Sequence, residues 1–105
     1  MNRPPIDLTV IRTEVEGAQT LALTGRLDAH QVKQLLQATE PLTARNRLDL
    51  AGVTFMDSSG LAALVKLTRL AAEHGKSLEI VNVQDSVRLA MEITGLYSLL
   101  PIRPA

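Results

Sequence analysis

Between residues 48 and 72 the chain passes from a short apolar run, Leu48-Asp49-Leu50, through the turn-like VTFMDSSGL at 53–61 into a long stretch of helix formers, Leu61 to Ala72. A strand that feeds an apolar helix through so short a turn dictates much of a fold. The helix must pack back on the sheet, and the following strand then runs parallel to the first through a right-handed connection. The helix is expected from Ser58 to about His74. Gly75 suits the position after its end, and His74 and Lys76 suit its negative dipole end.

The flanking segments extend this pattern. Residues 8–14 (LTVIRTE) and 19–24 (QTLALT) are strand-like with a Glu16-Gly17 turn signal between them, which predicts a hairpin. Asp28 can N-cap the next helix, with Gln31 placed as in a capping box and Val32, Leu35 and Leu36 forming its apolar stripe. That helix fades near Pro41 and is followed by a polar loop and a short strand at 47–50. Residues 77–83 (SLEIVNV) read as a further strand. A third helix over 85–94 is opened by Asp85 or Ser86, carries Val87, Ala90 and Met91 at helical spacing, and is stopped by Gly95. Residues 98–102 (SLLPI) suggest a short last strand, which Pro101 confines to an edge or an end. The expectation is an α/β domain: a mixed, mostly parallel sheet of four to five strands packed against three main helices, with residues 1–5 as a frayed tail.

Composition narrows the function. The chain has 105 residues, zero formal net charge and no basic run, which argues against nucleic acid or an anionic membrane as partner. It has no cysteine, so disulfides, thiolate metal sites and cysteine nucleophiles are excluded. His30 and His74 lack paired ligand spacing, so neither a metal nor a cofactor is expected. With no signal-peptide pattern and no apolar segment long enough to span a bilayer, the expected location is the cytoplasm. Residues 56–60 read MDSSG instead of G-x-S-x-G, and no nucleotide-binding glycine loop occurs, so an enzyme is not expected.

The candidate site is the turn itself. Ser58 and Ser59 fall at or beside a helix N-cap, where unpaired backbone N–H groups and the positive dipole end favour anions. Either serine can simply cap the helix. A phosphate on one of them would equally sit where added negative charge is best tolerated. Asp57 suits the first turn electrostatically or a partner surface. Gly60 suits tight packing or close approach by a partner. Met56 suits packing or an adaptable rim.

Three segments carry a family resemblance: Leu23-Thr24-Gly25-Arg26-Leu27-Asp28, LDLAGVTFMDSSGL at 48–61, and Ile93-Thr94-Gly95-Leu96. Together, in this order and spacing, they resemble the STAS domain (sulfate transporter and anti-sigma factor antagonist). Within it they resemble the free-standing bacterial anti-sigma factor antagonists, over about residues 8 to 102. The resemblance implies a single STAS domain over 1–105. It also implies a module whose unphosphorylated form binds an anti-sigma factor and so frees a sigma factor. The anti-sigma factor, often a serine kinase, would switch binding off by phosphorylating Ser58, the serine directly after the motif's aspartate, and a serine phosphatase would restore it. Ser59 is the second candidate acceptor. Asp28, Met56, Asp57, Ser58, Ser59 and Gly60 would border the contact surface. The chain stops three residues after Ile102, where many such antagonists continue into a further helix. The same resemblance also fits an accessory subunit that binds the ATPase of a phospholipid-transporting ABC system, or a component of a stress-sensing complex.

Overall fold

Glu16 and Gly17 adopt φ of 49° and 80°, the doubly positive pattern of a two-residue hairpin turn whose twist suits the flanking strands. They join β1 (Thr9–Val15) to β2 (Ala18–Leu27) as an antiparallel pair in the computed structural model, which describes residues 8–104. The tail expected at 1–5 lies outside the described residues. After β2 come α1 (Val32–Ala38), β3 (Arg45–Met56), α2 (Ser58–Glu73), β4 (Ser77–Val81) and α3 (Asp85–Ile93). β3 runs parallel to β2 and β4 parallel to β3, giving the order β1-β2-β3-β4. This is the mixed, mostly parallel sheet with three helices expected from the sequence.

Side chains alternate across the strands, so one face of the sheet collects the core. Leu21, Leu23, Leu48, Leu50 and Ile80 are fully or almost fully buried and form one cluster with Leu61, Leu64 and Leu67 of α2 and Val87 and Met91 of α3. The intervening Thr20, Ala22, Arg47 and Glu79 lie on the other face, where the Arg47 guanidinium donates to Glu79 at 2.7 Å. Both long connections end alike. In α2 the Lys76 and Gly75 amides donate to the Ala71 and Ala72 carbonyls, and in α3 the Leu96 and Gly95 amides donate to Met91 and Glu92. These are Schellman closures, which need the positive φ found at Gly75 and Gly95.

Besides β2 reaching Leu27 and β4 ending at Val81, three differences from the sequence expectation stand out. β3 does not stop at residue 50 but continues to Met56, because it gains a residue on β2 twice, between Ala22 and Thr24 and between Gly25 and Arg26. Such bulges let the strand bend while staying paired. The segment at 98–102 is no strand: Tyr97–Leu99 is a 3-10 turn, and only Ile102 bridges, in parallel, to Ile80. Finally, α1 opens at Val32 with Gln31 at its N-cap position, so Asp28 does not cap it. The capping-box reach is nevertheless half present, since Gln31 Oε1 accepts from the Asp28 amide at 3.2 Å.

Two contacts fix the sheet's ends relative to the helices. At the carboxyl ends of the strands, Gly60 in the first turn of α2 is buried directly against β2. A Cβ there would collide with the Leu27 carbonyl oxygen and lie 2.9 Å from Met56 Cγ. At the amino ends, buried Asn46 accepts from Gln19 Nε2 at 2.6 Å and from the Thr43 amide at 2.9 Å, and donates to the Thr43 and Ser77 carbonyls. One amide thereby joins β2, β3, β4 and the loop leaving α1.

Gly60→Ala is expected to destabilise the protein by about 3 kcal/mol, the upper part of the range for over-packing, because backbone rather than a flexible side chain blocks the added methyl. The check is a urea midpoint that falls at unchanged slope. Asn46→Ala strands the Thr43 amide and leaves Gln19 Nε2 only its 3.2 Å bond to the Pro41 carbonyl, so a loss of about 2–3 kcal/mol is expected in the same experiment.

Candidate functional site

Leu27 of β2 and Met56 of β3 are register partners on adjacent parallel strands, so the next residues, Asp28 and Asp57, leave the sheet side by side. The Asp57 amide donates to the Leu27 carbonyl at 3.4 Å, which ties the two exits together. From there the chain turns at once into α2. Asp57 has extended backbone (φ −105°, ψ −175°), and its Oδ1 accepts from the Gly60 amide at 3.0 Å. Its carbonyl accepts the first helical bond, from Leu61, at 3.0 Å. Asp57 is therefore the N-cap, and neither serine fills that role.

Ser58 and Ser59 occupy the first two helical positions. Ser58 is exposed and Ser59 half-buried, and among the described residues neither hydroxyl meets a hydrogen-bond partner. Their own amides are among those an α-helix cannot satisfy internally. The turn thus offers an unengaged Ser58 hydroxyl, a helix start with positive dipole, and a carboxylate that already neutralises one amide.

Asp28 is partly buried and constrained from several sides. Its Oδ1 accepts from the His30 amide at 2.9 Å, and its Oδ2 lies 3.5 Å from Arg26 Nε. Arg26 also stacks over the Phe55 ring, 4.3 Å from its centroid, so the pair forms an exposed cation–π contact on the outer face of the two strand exits. Arg26 and Phe55 are register partners as well. Sequence reasoning missed both as site residues. Their pairing depends on the second bulge of β3, which no local pattern announces.

The six predicted residues meet at these two strand exits, but not all reach the surface. Asp28, Asp57, Ser58 and Ser59 are at least partly accessible, whereas Met56 and Gly60 are buried. Met56 and Gly60, expected to border the contact surface, instead form the floor that lets α2 start where it does. A second feature missed from sequence is a groove between α1 and α2, lined by Val32 and Leu36 on one side and Ser59, Ala62 and Lys66 on the other. Ser59 lies at its start, so the groove continues directly from the turn. Small residues on α2 are its only sequence signal.

Known proteins share this fold. The family model described as "Mlab, STAS domain" matches residues 11–101. The anti-sigma-B factor antagonist of Staphylococcus aureus is 28% identical over 101 residues, covering 92% of this chain and 94% of its own. The structure of the anti-sigma factor antagonist SpoIIAA in its unphosphorylated form superposes with a TM-score of 0.75 at 21% identity, over 92% of this chain and 88% of that one. The phosphorylated form of SpoIIAA, described as a Bacillus cell fate determinant, gives 0.68 at 18% identity, over 94% and 91%. The strand–turn–helix unit around Asp57 is thus set within a match that takes in nearly the whole chain, and the chain belongs to the STAS domain family.

Proposed function

We propose that this chain is a phosphorylation-controlled binding module that acts as an anti-sigma factor antagonist, with Ser58 as the phosphoryl acceptor. The observation that carries the proposal is the division of labour at the start of α2. Asp57 caps the helix, so the exposed Ser58 hydroxyl has no structural duty and can be modified without undoing the turn. The anti-sigma-B factor antagonist relative and the fold shared with SpoIIAA, known in unphosphorylated and phosphorylated forms, support the reading. In this reading the chain binds its partner and is a substrate of the partner's kinase activity; it catalyses nothing itself. A phosphatase would return it to the binding form, and the location would be the cytoplasm.

The physics of the switch is local. A phosphoserine brings about −1.5 to −2 charges at neutral pH. In the unbound protein the first-turn amides and the helix dipole accommodate that charge. In a complex the same charge would be driven against a surface fitted to a neutral hydroxyl and to the carboxylates of Asp28 and Asp57. A loss of about 3 kcal/mol corresponds to roughly a hundredfold weaker complex, enough to exchange partners. No movement of the fold is required. The exposed Arg26–Phe55 pair and the α1–α2 groove flank the turn and supply the apolar and aromatic contacts that such an interface needs.

With a purified anti-sigma factor and ATP, wild type is expected to be released as phosphate accumulates on Ser58, while Ser58→Ala stays bound. Ser58→Asp is expected to bind at least tenfold more weakly than wild type without ATP. Equal ATP-driven release of wild type and Ser58→Ala would remove Ser58 from the mechanism, and phosphopeptide mapping would then decide for or against Ser59. If Ala and Asp baits instead hold the ATPase of a phospholipid transporter equally well, the accessory-subunit reading replaces the antagonist.

A further inference from the structure

The two edges of the sheet are finished differently. On β4, the Ile80 amide donates to the Pro101 carbonyl at 2.9 Å, and the Ile80 carbonyl accepts from Arg103 at 2.8 Å. The chain after α3 thus covers that edge at Ile80. The outer edge of β1 has no strand beside it among the described residues. β1 is also unusually apolar for an edge, with Ile11 60% and Val15 65% exposed on the same face. An edge strand with these properties is a template for another strand.

The hairpin decides which groups of β1 are available. Across a two-residue turn the flanking residues, here Val15 and Ala18, form a hydrogen-bonded pair, and such pairs then alternate along an antiparallel ladder. Val15, Thr13, Ile11 and Thr9 therefore direct their backbone groups to β2. Val10, Arg12 and Glu14 direct theirs outward. A second copy approaching antiparallel about a two-fold axis must set outward residues opposite outward residues, which leaves four registers, centred on residues 11, 12, 13 and 14. Centring on Arg12 sets Arg12 against Arg12 and centring on Glu14 sets Glu14 against Glu14, both repulsive, while centring on Ile11 sets Arg12 against Val10 and pairs no charges. The remaining register centres the axis on Thr13. It places Arg12 opposite the partner's Glu14, and Ile11 opposite the partner's Val15 on the open face. The sequence VIRTEV thus pairs opposite charges in one register alone. The Arg12 guanidinium is held on the helix side of this edge, donating to the Ala38, Glu40 and Pro41 carbonyls at 2.6, 2.7 and 3.4 Å.

We propose that this protein self-associates through β1, two copies joining antiparallel about Thr13 into one continuous sheet of four strands from each. Pairing of β1 with β2 ends at Thr9↔Thr24, before Leu27, so the two Ser58 turns lie outside the joint. An edge-to-edge contact of this length falls short of the roughly 1,200 Å² that standard interfaces bury, so the dimer is weak and concentration-dependent.

The experiment is a cysteine trap, straightforward because the chain has no native cysteine. Thr13 faces the partner's Thr13 as a non-hydrogen-bonded pair, with Cα atoms about 4.5 Å apart, inside the range that a disulfide spans. Under mild oxidation Thr13→Cys is expected to form a covalent dimer at least tenfold faster than Ile11→Cys or Val15→Cys, whose own counterparts lie four register positions away. Adding Glu14→Lys to the Thr13→Cys chain should slow trapping severalfold at low salt, since it brings a lysine beside the partner's Arg12. Sedimentation of the cysteine-free protein should show a concentration-dependent dimer that Glu14→Lys weakens. Equal trapping at positions 11, 13 and 15, trapping that ignores Glu14→Lys, or a strictly monomeric protein at millimolar concentration would each overturn the proposal.

Discussion

Because Gly60 carries no side chain, α2 can begin in contact with the Leu27 carbonyl, and that single close approach sets the position of everything around the turn. It brings the start of the helix against the end of β2, where Asp28 leaves the sheet, although α2 is covalently attached to β3. The Asp57 amide repeats the tie from the other side by donating to the same carbonyl. Two residues distant in sequence, Asp28 and Asp57, thereby become neighbours on one rim. Any larger residue at position 60 would separate the helix from β2 and divide the rim in two. The tight packing considered from sequence is thus the reason this glycine lies inside a first helical turn.

How much of this was legible in the sequence depends on whether the deciding force is local. The β1–β2 hairpin, α2 and α3 could be read because their signals are internal: a Glu16-Gly17 turn, an apolar helical stripe, and glycines at 75 and 95 that terminate helices. β3 could be read only as far as residue 50. Its buried positions are 46, 48, 50, 53 and 56, and the change from steps of two to steps of three erases the strand period. The bulges that cause it exist only in the pairing with β2. The same non-local pairing hid Arg26 and Phe55. Residues 98–102 failed for the opposite reason, since an apolar run with a proline satisfied a strand pattern while supplying a single bridge. At the site, Ser58 was placed correctly at the helix start, but the cap could be assigned to Asp57 only from its bond to the Gly60 amide.

The core is built almost without rings. Leucine dominates it; of the two aromatic residues, Phe55 lies outside it beneath Arg26, and half-buried Tyr97 packs against its margin beneath Arg88 at 5.0 Å. Aliphatic side chains interdigitate well in a two-layer fold, and this leaves the rings to serve where an apolar face and a charged neighbour are both wanted. Phe55 is the ring that stands beside the turn. Its position gives the rim an apolar anchor next to two carboxylates, a mixture suited to a partner that must recognise shape and charge together.

The attachment of residues 101–103 to β4 has a consequence for stoichiometry. A sheet with two open edges can add molecules at both ends and has no intrinsic size at which growth stops. Here the chain terminates its own sheet on one side, with Pro101 and Arg103 holding the Ile80 backbone. Among the described residues only the β1 edge then lacks a neighbouring strand, so a molecule joining there meets a sheet whose far edge is already covered at Ile80.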